Sequence, residues 1–229
     1  MIAFIAAEAR EFEGLLRHVA GVRKLDSSLD FARAGKLCDK PVVLMANGPG
    51  PELAGKAADA AQELGGLEAL ISTGFCGALD PVLRVADVFV ATEVRSSGAT
   101  FAALEPAGRR APHTGALISQ NRVATTAEEK AELRLTGAAA VEMEAAGVAA
   151  RAARWSVPFY AIRVVSDTAA ETLPLDLNRM RDRQGRFGRA RIVGAALLRP
   201  RLFPKLIDLQ KRSAAASAAL GDFLADVRF

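Results

Sequence analysis

Short apolar runs alternate with longer amphipathic stretches along the chain. The apolar runs predict strands at Ile2–Ala6, Pro41–Ala46, Ala69–Thr73, Asp87–Val94, Gly115–Ser119, Ala138–Val141 and Pro158–Val165. Helical spacing predicts helices at Glu8–Val19, Glu52–Leu64, Glu144–Arg154 and Pro204–Val227. Continuous apolar strands separated by helices are typical of sheets covered on both faces. The pattern therefore predicts an α/β fold, a three-layer domain with a central, mostly parallel mixed sheet flanked by helices.

Composition and charge add one feature to this prediction. The 229 residues suit one domain, and 51% hydrophobic residues with a net charge of +4 exclude general disorder. The charge is unevenly distributed, because Arg179–Arg212 holds eleven basic and two acidic residues, a local balance of +9 that leaves −5 for the rest. We predict a single domain over residues 1–229 with a basic C-terminal extension from about residue 179.

Cysteine and histidine usage narrows the chemistry. Two cysteines and two histidines predict neither a disulfide framework nor a Cys/His metal site. Acidic residues arrive by Glu8, which argues against a signal peptide, and no run reaches the ~18 apolar residues of a membrane span. We expect a cytoplasmic protein without a metal or cofactor.

Two glycine-containing segments follow predicted strands. Asn47-Gly48-Pro49-Gly50 could bind an anion or a ribose oxygen through its backbone N–H groups, or could be a plain strand-to-helix turn. In Ser72–Asp80, the small residues around Phe75, Cys76 and Gly77 would let a ligand approach the backbone. The alternative there is a tight turn with a buried cysteine.

Carboxylates mark two further segments. Glu142 and Glu144 lie in apolar sequence and could hold the vicinal hydroxyls of a sugar, although Glu142 alone would also suit a helix N-terminus. Asp167 ends the most hydrophobic strand, where a partly desolvated carboxyl could donate a proton, and the alternative is an N-cap formed by Ser-Asp-Thr.

The order of these motifs carries more information than any one of them. STGFCGALDP, DVFVATEV, AVEMEAAGVA and RVVSDTA together resemble the nucleoside phosphorylase/nucleosidase superfamily, in particular methylthioadenosine/S-adenosylhomocysteine nucleosidases. The resemblance covers Met1 to about Ala170. The following segment, TLPLDLNRMRDRQGRFG, is similar to bacterial hopanoid-associated phosphorylases, which are thought to remove adenine from an adenosylated triterpenoid.

This resemblance implies cleavage of the N-glycosidic bond of a purine nucleoside or adenosylated substrate. Asp167, in the Ser166-Asp167 motif, would assist departure of the base, and Glu144 would hold the ribose with Met143 packed against the sugar. The pocket for base and sugar would include Phe75, Cys76, Gly77, Ser166 and Val123, the last at a position where the family often has a stacking aromatic residue.

The acceptor of the sugar is left open between water and phosphate. The resemblance makes Glu11 the candidate base for water, with Glu8 as the reserve. The candidate phosphate ligands are Arg10, Arg95 and Gly48, which would make inorganic phosphate a co-substrate.

The expected partners are a small nucleoside or adenosylated lipid and further copies of the chain, since family members usually form homo-oligomers. Ile192–Ile207 mixes apolar and basic residues, so it could contact the inner membrane face as a peripheral segment or simply pack on the core. The alternatives to an enzyme are a non-catalytic nucleoside-binding protein and a basic nucleic-acid-binding protein. One Trp and one Tyr supply few rings for base stacking, so we expect no nucleic-acid partner.

Overall fold

The structure is a computed structural model that describes residues 1–182, 185–186 and 203–229. Its strands are β1 Ile2–Ala6, β2 Val19–Lys24, β3 Phe31–Leu37, β4 Lys40–Ala46, β5 Ala69–Ala78, β6 Val88–Ser96, β7 Ala99–Ala102, β8 His113–Ser119, β9 Ala140–Glu142 and β10 Phe159–Asp167. Its α-helices are α1 Glu13–Leu16, α2 Pro51–Glu63, α3 Ala127–Arg134, α4 Ala145–Trp155 and α5 Phe203–Asp226. Single 3-10 turns form at Ala9–Phe12 and Leu177–Met180.

All of these strands belong to one mixed sheet that partly closes on itself. The strand order is β10-β6-β8-β9-β5-β1-β4-β3-β2, with β7 paired to β6. Strand β10 also pairs with β5, so β5, β10, β6, β8 and β9 form a closed ring from which β1, β4, β3 and β2 extend. Strands β1, β4, β5 and β10 run parallel, which brings their carboxyl ends to one edge of the sheet.

Helices cover the sheet on both faces, as the sequence predicted. Alanines of α2 and α4 pack on one face, and apolar side chains of α1 and α5 pack on the other. Helices α1 and α5 cross in backbone contact, because a Cβ on Gly14 would lie 1.9 Å from the carbonyl oxygen of Ser217. The predicted helix at Pro204–Val227 is thus confirmed and contributes Leu220, Phe223 and Leu224 to the core.

The prediction of one helix over Glu8–Val19 was wrong. A 3-10 turn and a single α-helical turn place Phe12 and Leu15 in the core as expected, but Val19 already begins β2 and pairs with Leu37. The β2–β3 hairpin has no strong sequence signal, since the five residues of β2 after Val19 are all exposed and show no alternation. Helix α3 was missed for a related reason, because its one buried residue is Lys130.

Residues 1–182, 185–186 and 203–229 contain neither a membrane-spanning helix nor a metal-binding cluster. None of the helices there combines the length and apolar character that a membrane crossing requires. This part of the chain also holds no cluster of three or more His, Cys, Asp or Glu side chains with the geometry of a metal site. Most of Ile192–Ile207, the predicted membrane-surface segment, lies outside the described residues.

Candidate active site

A cavity of about 160 Å³ opens where the parallel strands end. The site residues predicted from the sequence meet there from the first, middle and last thirds of the chain. Those that line the cavity are Glu8, Arg10, Glu11, Phe75, Cys76, Gly77, Val123, Met143, Glu144, Ser166 and Asp167. The carboxyl ends of parallel strands are the usual ligand-binding edge of an α/β sheet.

Two of the predicted phosphate ligands lie outside this cavity. Arg95 donates hydrogen bonds to the side chain of Glu93 and the carbonyl oxygen of Thr136. The N–H of Gly48 donates to the carbonyl oxygen of Ala7 at 2.9 Å, so this donor is already used in the turn. Arg10 does line the cavity, but its guanidinium is paired with Glu8 at 2.6 Å.

Glu11 is held rigidly at the end of β1. Its Oε2 accepts hydrogen bonds from the N–H groups of Ala7 and Glu8, and its Oε1 accepts from the N–H of Phe75, each at 2.8 Å. Burial raises the pKa of Glu11 above its ordinary value, although these hydrogen bonds and the positive charge of Arg163 oppose the rise. A buried carboxylate with a raised pKa is well suited to accept a proton from water.

Gly74 of β5 allows the carboxylate of Glu11 to lie close to the backbone. Gly74 has φ +134°, and a Cβ at this position would lie 2.4 Å from Oε1 of Glu11. Glycine is therefore required in β5 both for its backbone conformation and for the approach of the carboxylate.

Arg163 is a fully buried cation beneath the cavity. Its Nη1 donates to the carbonyl oxygen of Thr73 at 2.8 Å, and its Nη2 donates to Ser72. The same guanidinium forms ion pairs with Glu142 and, at 3.6 Å, with Glu144. One arginine thus balances part of the charge of several buried carboxylates, as buried charges require. Arg163 belongs to the RVVSDTA motif, but no role was predicted for it from the sequence.

The two glutamates of the VEMEA motif have different structural positions. Glu142 accepts hydrogen bonds from the backbone N–H groups of Glu144 and Ala145 at the start of α4, which is the helix-terminus role considered as an alternative for it. Glu144 instead lines the cavity, where its Oε1 accepts from the N–H of Gly50 at 3.1 Å. The glycine turn after β4 therefore orients Glu144.

Burial strongly affects the ionisation of Glu144. Burial, together with the nearby charge of Glu142, raises the pKa of Glu144 to about 8, although the positive charge of Arg163 opposes the rise. Met143 lies between the two glutamates, buried and against the cavity.

A bulge in β10 turns Asp167 toward the cavity. Val165 lies opposite Cys76 and Asp167 opposite the next residue, Gly77, so Ser166 is an extra residue in the pairing. Neighbouring residues of a regular strand point to opposite faces, but a bulge re-aims them, and here Ser166 and Asp167 both line the cavity. The hydroxyl of Ser166 lies 2.6 Å from Oδ1 of Asp167.

The floor of the cavity is formed by β5. Cys76 is buried, and desolvation raises the pKa of its thiol, so it is a neutral packing residue here rather than a nucleophile. Gly77 allows the carboxyl of Asp167 to approach, since a Cβ would lie 3.1 Å from Oδ2. Phe75 faces the guanidinium of Arg10, whose carbon is 5.8 Å from the ring centroid.

The loop after β8 forms one wall. Val123 donates from its N–H to Oδ1 of Asn178 at 2.8 Å and accepts from Nδ2 at 2.9 Å, and the sequence analysis did not anticipate this role of Asn178. The next residue, Ala124, lines the cavity and is 5% exposed. Within the described part of the chain its N–H and C=O form no hydrogen bond, so both are available to a ligand.

The chain is similar to known proteins over most of its length. The family model described as the phosphorylase superfamily matches residues 1–122 and 111–198. The 5'-methylthioadenosine/S-adenosylhomocysteine nucleosidase of Glaesserella parasuis is 28% identical over 197 residues, which cover 73% of this chain and 86% of that protein. The enzyme of the same name from Staphylococcus epidermidis is 26% identical over 198 residues, covering 74% and 87%.

Solved structures give the same result. The Neisseria meningitidis 5'-methylthioadenosine/S-adenosylhomocysteine nucleosidase in complex with methylthio-immucillin-A superposes with a TM-score of 0.71 at 25% identity, covering 98% of this chain and 96% of that one. A futalosine hydrolase mutant of Helicobacter pylori is similar in fold, with a TM-score of 0.63 at 17% identity, covering 75% and 89%.

These relatives confirm three expectations from the sequence: the α/β fold, the nucleosidase-like resemblance and an enzyme class that cleaves N-glycosidic bonds. The family model accounts for most of the chain, including every strand that borders the cavity. This chain belongs to the phosphorylase superfamily.

Proposed function

We propose that the chain hydrolyses the N-glycosidic bond of an adenine nucleoside, with water as the acceptor. The observation that carries this proposal is the convergence of Glu11, Glu144 and Asp167 on one cavity from distant parts of the chain. The proposal assigns one carboxyl group to each of the three parts of the reaction, namely the base, the ribose and the water.

Asp167 and Ala124 would act on the base. The N–H and C=O of Ala124 have no hydrogen-bond partner in the described part of the chain, and they match the adjacent ring-nitrogen acceptor and amino donor of adenine. Asp167 would give its proton to N7 as the bond from C1' to the base breaks, so that the purine leaves as a neutral molecule. Ser166 would orient this carboxyl through its hydrogen bond to Oδ1.

Glu144 would hold the ribose hydroxyls and, in its ionised form, stabilise the positive charge that develops on the sugar. Its bond to the N–H of Gly50 uses one lone pair of Oε1 and leaves the remaining acceptors for the sugar. Met143 would pack against the same sugar.

The charge around the cavity favours water over phosphate. The guanidinium of Arg163 is already paired with Glu142 and Glu144 and bonded to Ser72 and the carbonyl oxygen of Thr73, so it is not available to bind a phosphate anion. Arg10 is already paired with Glu8. Glu11 would take one proton from water while the oxygen adds to C1', and exchange with solvent would restore Glu11 and Asp167 to their starting states.

The substrate is proposed to carry an apolar group on its 5' carbon. Leu173, Leu177 and Leu209 line one side of the cavity, which suits a methylthio group or a larger hydrocarbon. An adenosylated triterpenoid is the larger candidate, and it links the proposal to the hopanoid-like segment after Asp167. Homo-oligomer formation, a cytoplasmic location and contact with a membrane surface stay predictions.

The test is product analysis by chromatography with adenosine, methylthioadenosine and adenosylhopane, each with and without phosphate. We expect free adenine and free sugar from at least one substrate, without a phosphate requirement, and much slower release of both products by D167N. A sugar phosphate as product would replace water by phosphate as acceptor. Binding of the nucleosides without any release of adenine would favour the non-catalytic alternative.

A further inference from the structure

Lys130 is a buried cation that lies outside the cavity. Its side chain has no exposed surface, and it is the one buried residue of helix α3. Lysine is almost never fully buried unless its charge is paired. The partner is the carboxyl group of Asp167, which Nζ contacts at Oδ2.

All three donors of this ammonium group are used. Besides Asp167, Nζ donates to the carbonyl oxygens of Thr168 at 2.7 Å and Glu171 at 3.0 Å. The side chain of Glu171 in turn accepts from the N–H of Thr168 at 3.1 Å. Lys130 therefore ties both the carboxyl group and the turn that follows β10 to helix α3.

We propose that Lys130 is the positioning residue for the acid Asp167, an inference that rests on the proposed function. Lys130 donates to Oδ2 and the hydroxyl of Ser166 donates to Oδ1, while the residue as a whole lines the cavity. When the O–H bond of Asp167 breaks and N7 of the purine gains the proton, a buried carboxylate is left behind. The adjacent ammonium offsets that negative charge, and Lys130 itself neither gains nor loses a proton.

Packing alone does not explain why residue 130 is a lysine. A buried ion pair is often no more stabilising than apolar residues of the same volume, so a methionine could fill the space beside α3. What an apolar residue could not provide is a fixed positive charge against Oδ2 at the moment the carboxylate forms.

Two variants separate charge from hydrogen bonding. K130Q keeps N–H donors for the two carbonyl oxygens but removes the charge, and K130M removes both. We expect kcat for adenine release to fall on the order of 100-fold in both, with KM changed less than about threefold. The matched control is R134M on the same helix. Arg134 donates hydrogen bonds to Asp80 and to the carbonyl oxygen of Ala138, away from Asp167, so this variant should leave kcat unchanged.

A double-variant cycle tests whether Lys130 acts through Asp167. In the D167N background, K130Q should cause no further loss of single-turnover rate, because the two side chains act as a unit. Ethylammonium should partly restore the rate of K130A, and uncharged propanol should not. Thermal unfolding of each variant identifies any that fails to fold, in which case K130Q carries the comparison.

Three outcomes would overturn the inference: wild-type kcat in K130Q, an equal loss in the D167N background, or the same loss in R134M. None of these would affect the proposed function, provided that D167N still releases adenine much more slowly than the wild type. Full adenine release by D167N would instead overturn the proposed function itself.

Discussion

Asn178 hydrogen-bonds to both backbone groups of Val123, although 55 residues separate them in the chain. The side-chain amide of Asn178 thus forms the two hydrogen bonds that a neighbouring strand would otherwise form with this loop, which is one wall of the cavity. With Val123 held in this way, the N–H and C=O of Ala124, which form no hydrogen bond among the described residues, are presented in a fixed position.

Replacing Asn178 with alanine should therefore weaken nucleoside binding. Two net hydrogen bonds at about 1 kcal/mol each correspond to a rise in KM of about 30-fold, with kcat changed much less. Steady-state kinetics measures both. The control is Arg179→Ala, whose side chain is 84% exposed on the same 3-10 turn. Equal KM values in the two variants would exclude a role of Asn178 in holding the loop.

Replacing Arg163 with methionine should destabilise the fold, because it leaves the buried carboxylates of Glu142 and Glu144 without their cation. We expect a loss of about 3–5 kcal/mol near pH 8. Without the cation the carboxyl of Glu144 should hold its proton more tightly when folded, so stability is retained below its ordinary pKa of 4.5 and falls as pH rises.

Urea unfolding at pH 5 and pH 8 measures both effects. Arg151→Met is the matched control, since Arg151 of helix α4 pairs with Asp59 of helix α2 at 3.2 Å and is partly exposed. If the two arginine variants were equally stable at both pH values, Arg163 would not be the counterion of the buried carboxylates.

Glu144 should give the wild-type protein a pH-dependent stability that Glu144→Gln lacks. Between the ordinary pKa of 4.5 and the folded value of about 8, the native carboxyl keeps a proton that the unfolded chain has lost. This contribution is complete below pH 4.5 and is lost as pH rises through 8, by at most about 5 kcal/mol at 1.36 kcal/mol per unit.

The measurement is the difference in unfolding free energy between wild type and variant from pH 4.5 to 9. Glu68→Gln serves as the opposite case, because the amino terminus lowers the pKa of Glu68 and its stabilisation is lost as pH falls. A flat difference curve for Glu144→Gln would show that Glu144 titrates normally in the folded state.

Gly14→Ala should separate helices α1 and α5. Alanine favours helices, so a loss of stability would come from the contact of its Cβ with the carbonyl oxygen of Ser217. We expect a loss of about 2–3 kcal/mol by thermal unfolding. In Gly55→Ala the Cβ meets only the flexible guanidinium of Arg151, so this control should be as stable as wild type or more so. Equal stability of the two variants would show that the helices adjust without cost.

Most residues that line the cavity could be predicted, because they lie at or near strand ends in motifs that resemble those of the family. Phe75, Asp167 and Glu144 lie at or beside strand ends, and the strands around them are continuous apolar runs that periodicity detects. Parallel pairing of β5 with β10 then brings two of these ends together without further information.

The residues that support the site were less accessible to sequence reasoning. Arg163 did leave a signal, a charged residue inside an otherwise apolar strand. Lys130 left none, because α3 has no apolar face, and Asn178 acts on a loop far away in the sequence. Such contacts depend on how separate segments fold against each other, which local pattern does not encode.

The closed strand ring has a consequence for the newly made protein. Strand β10 is the last of the strands, and it fills the gap between β5 and β6. Until the ribosome has released residue 167, those two apolar edges have no partner, and unpaired edges invite association with other chains. The ring of strands can therefore close only after the segment up to residue 167 has been made.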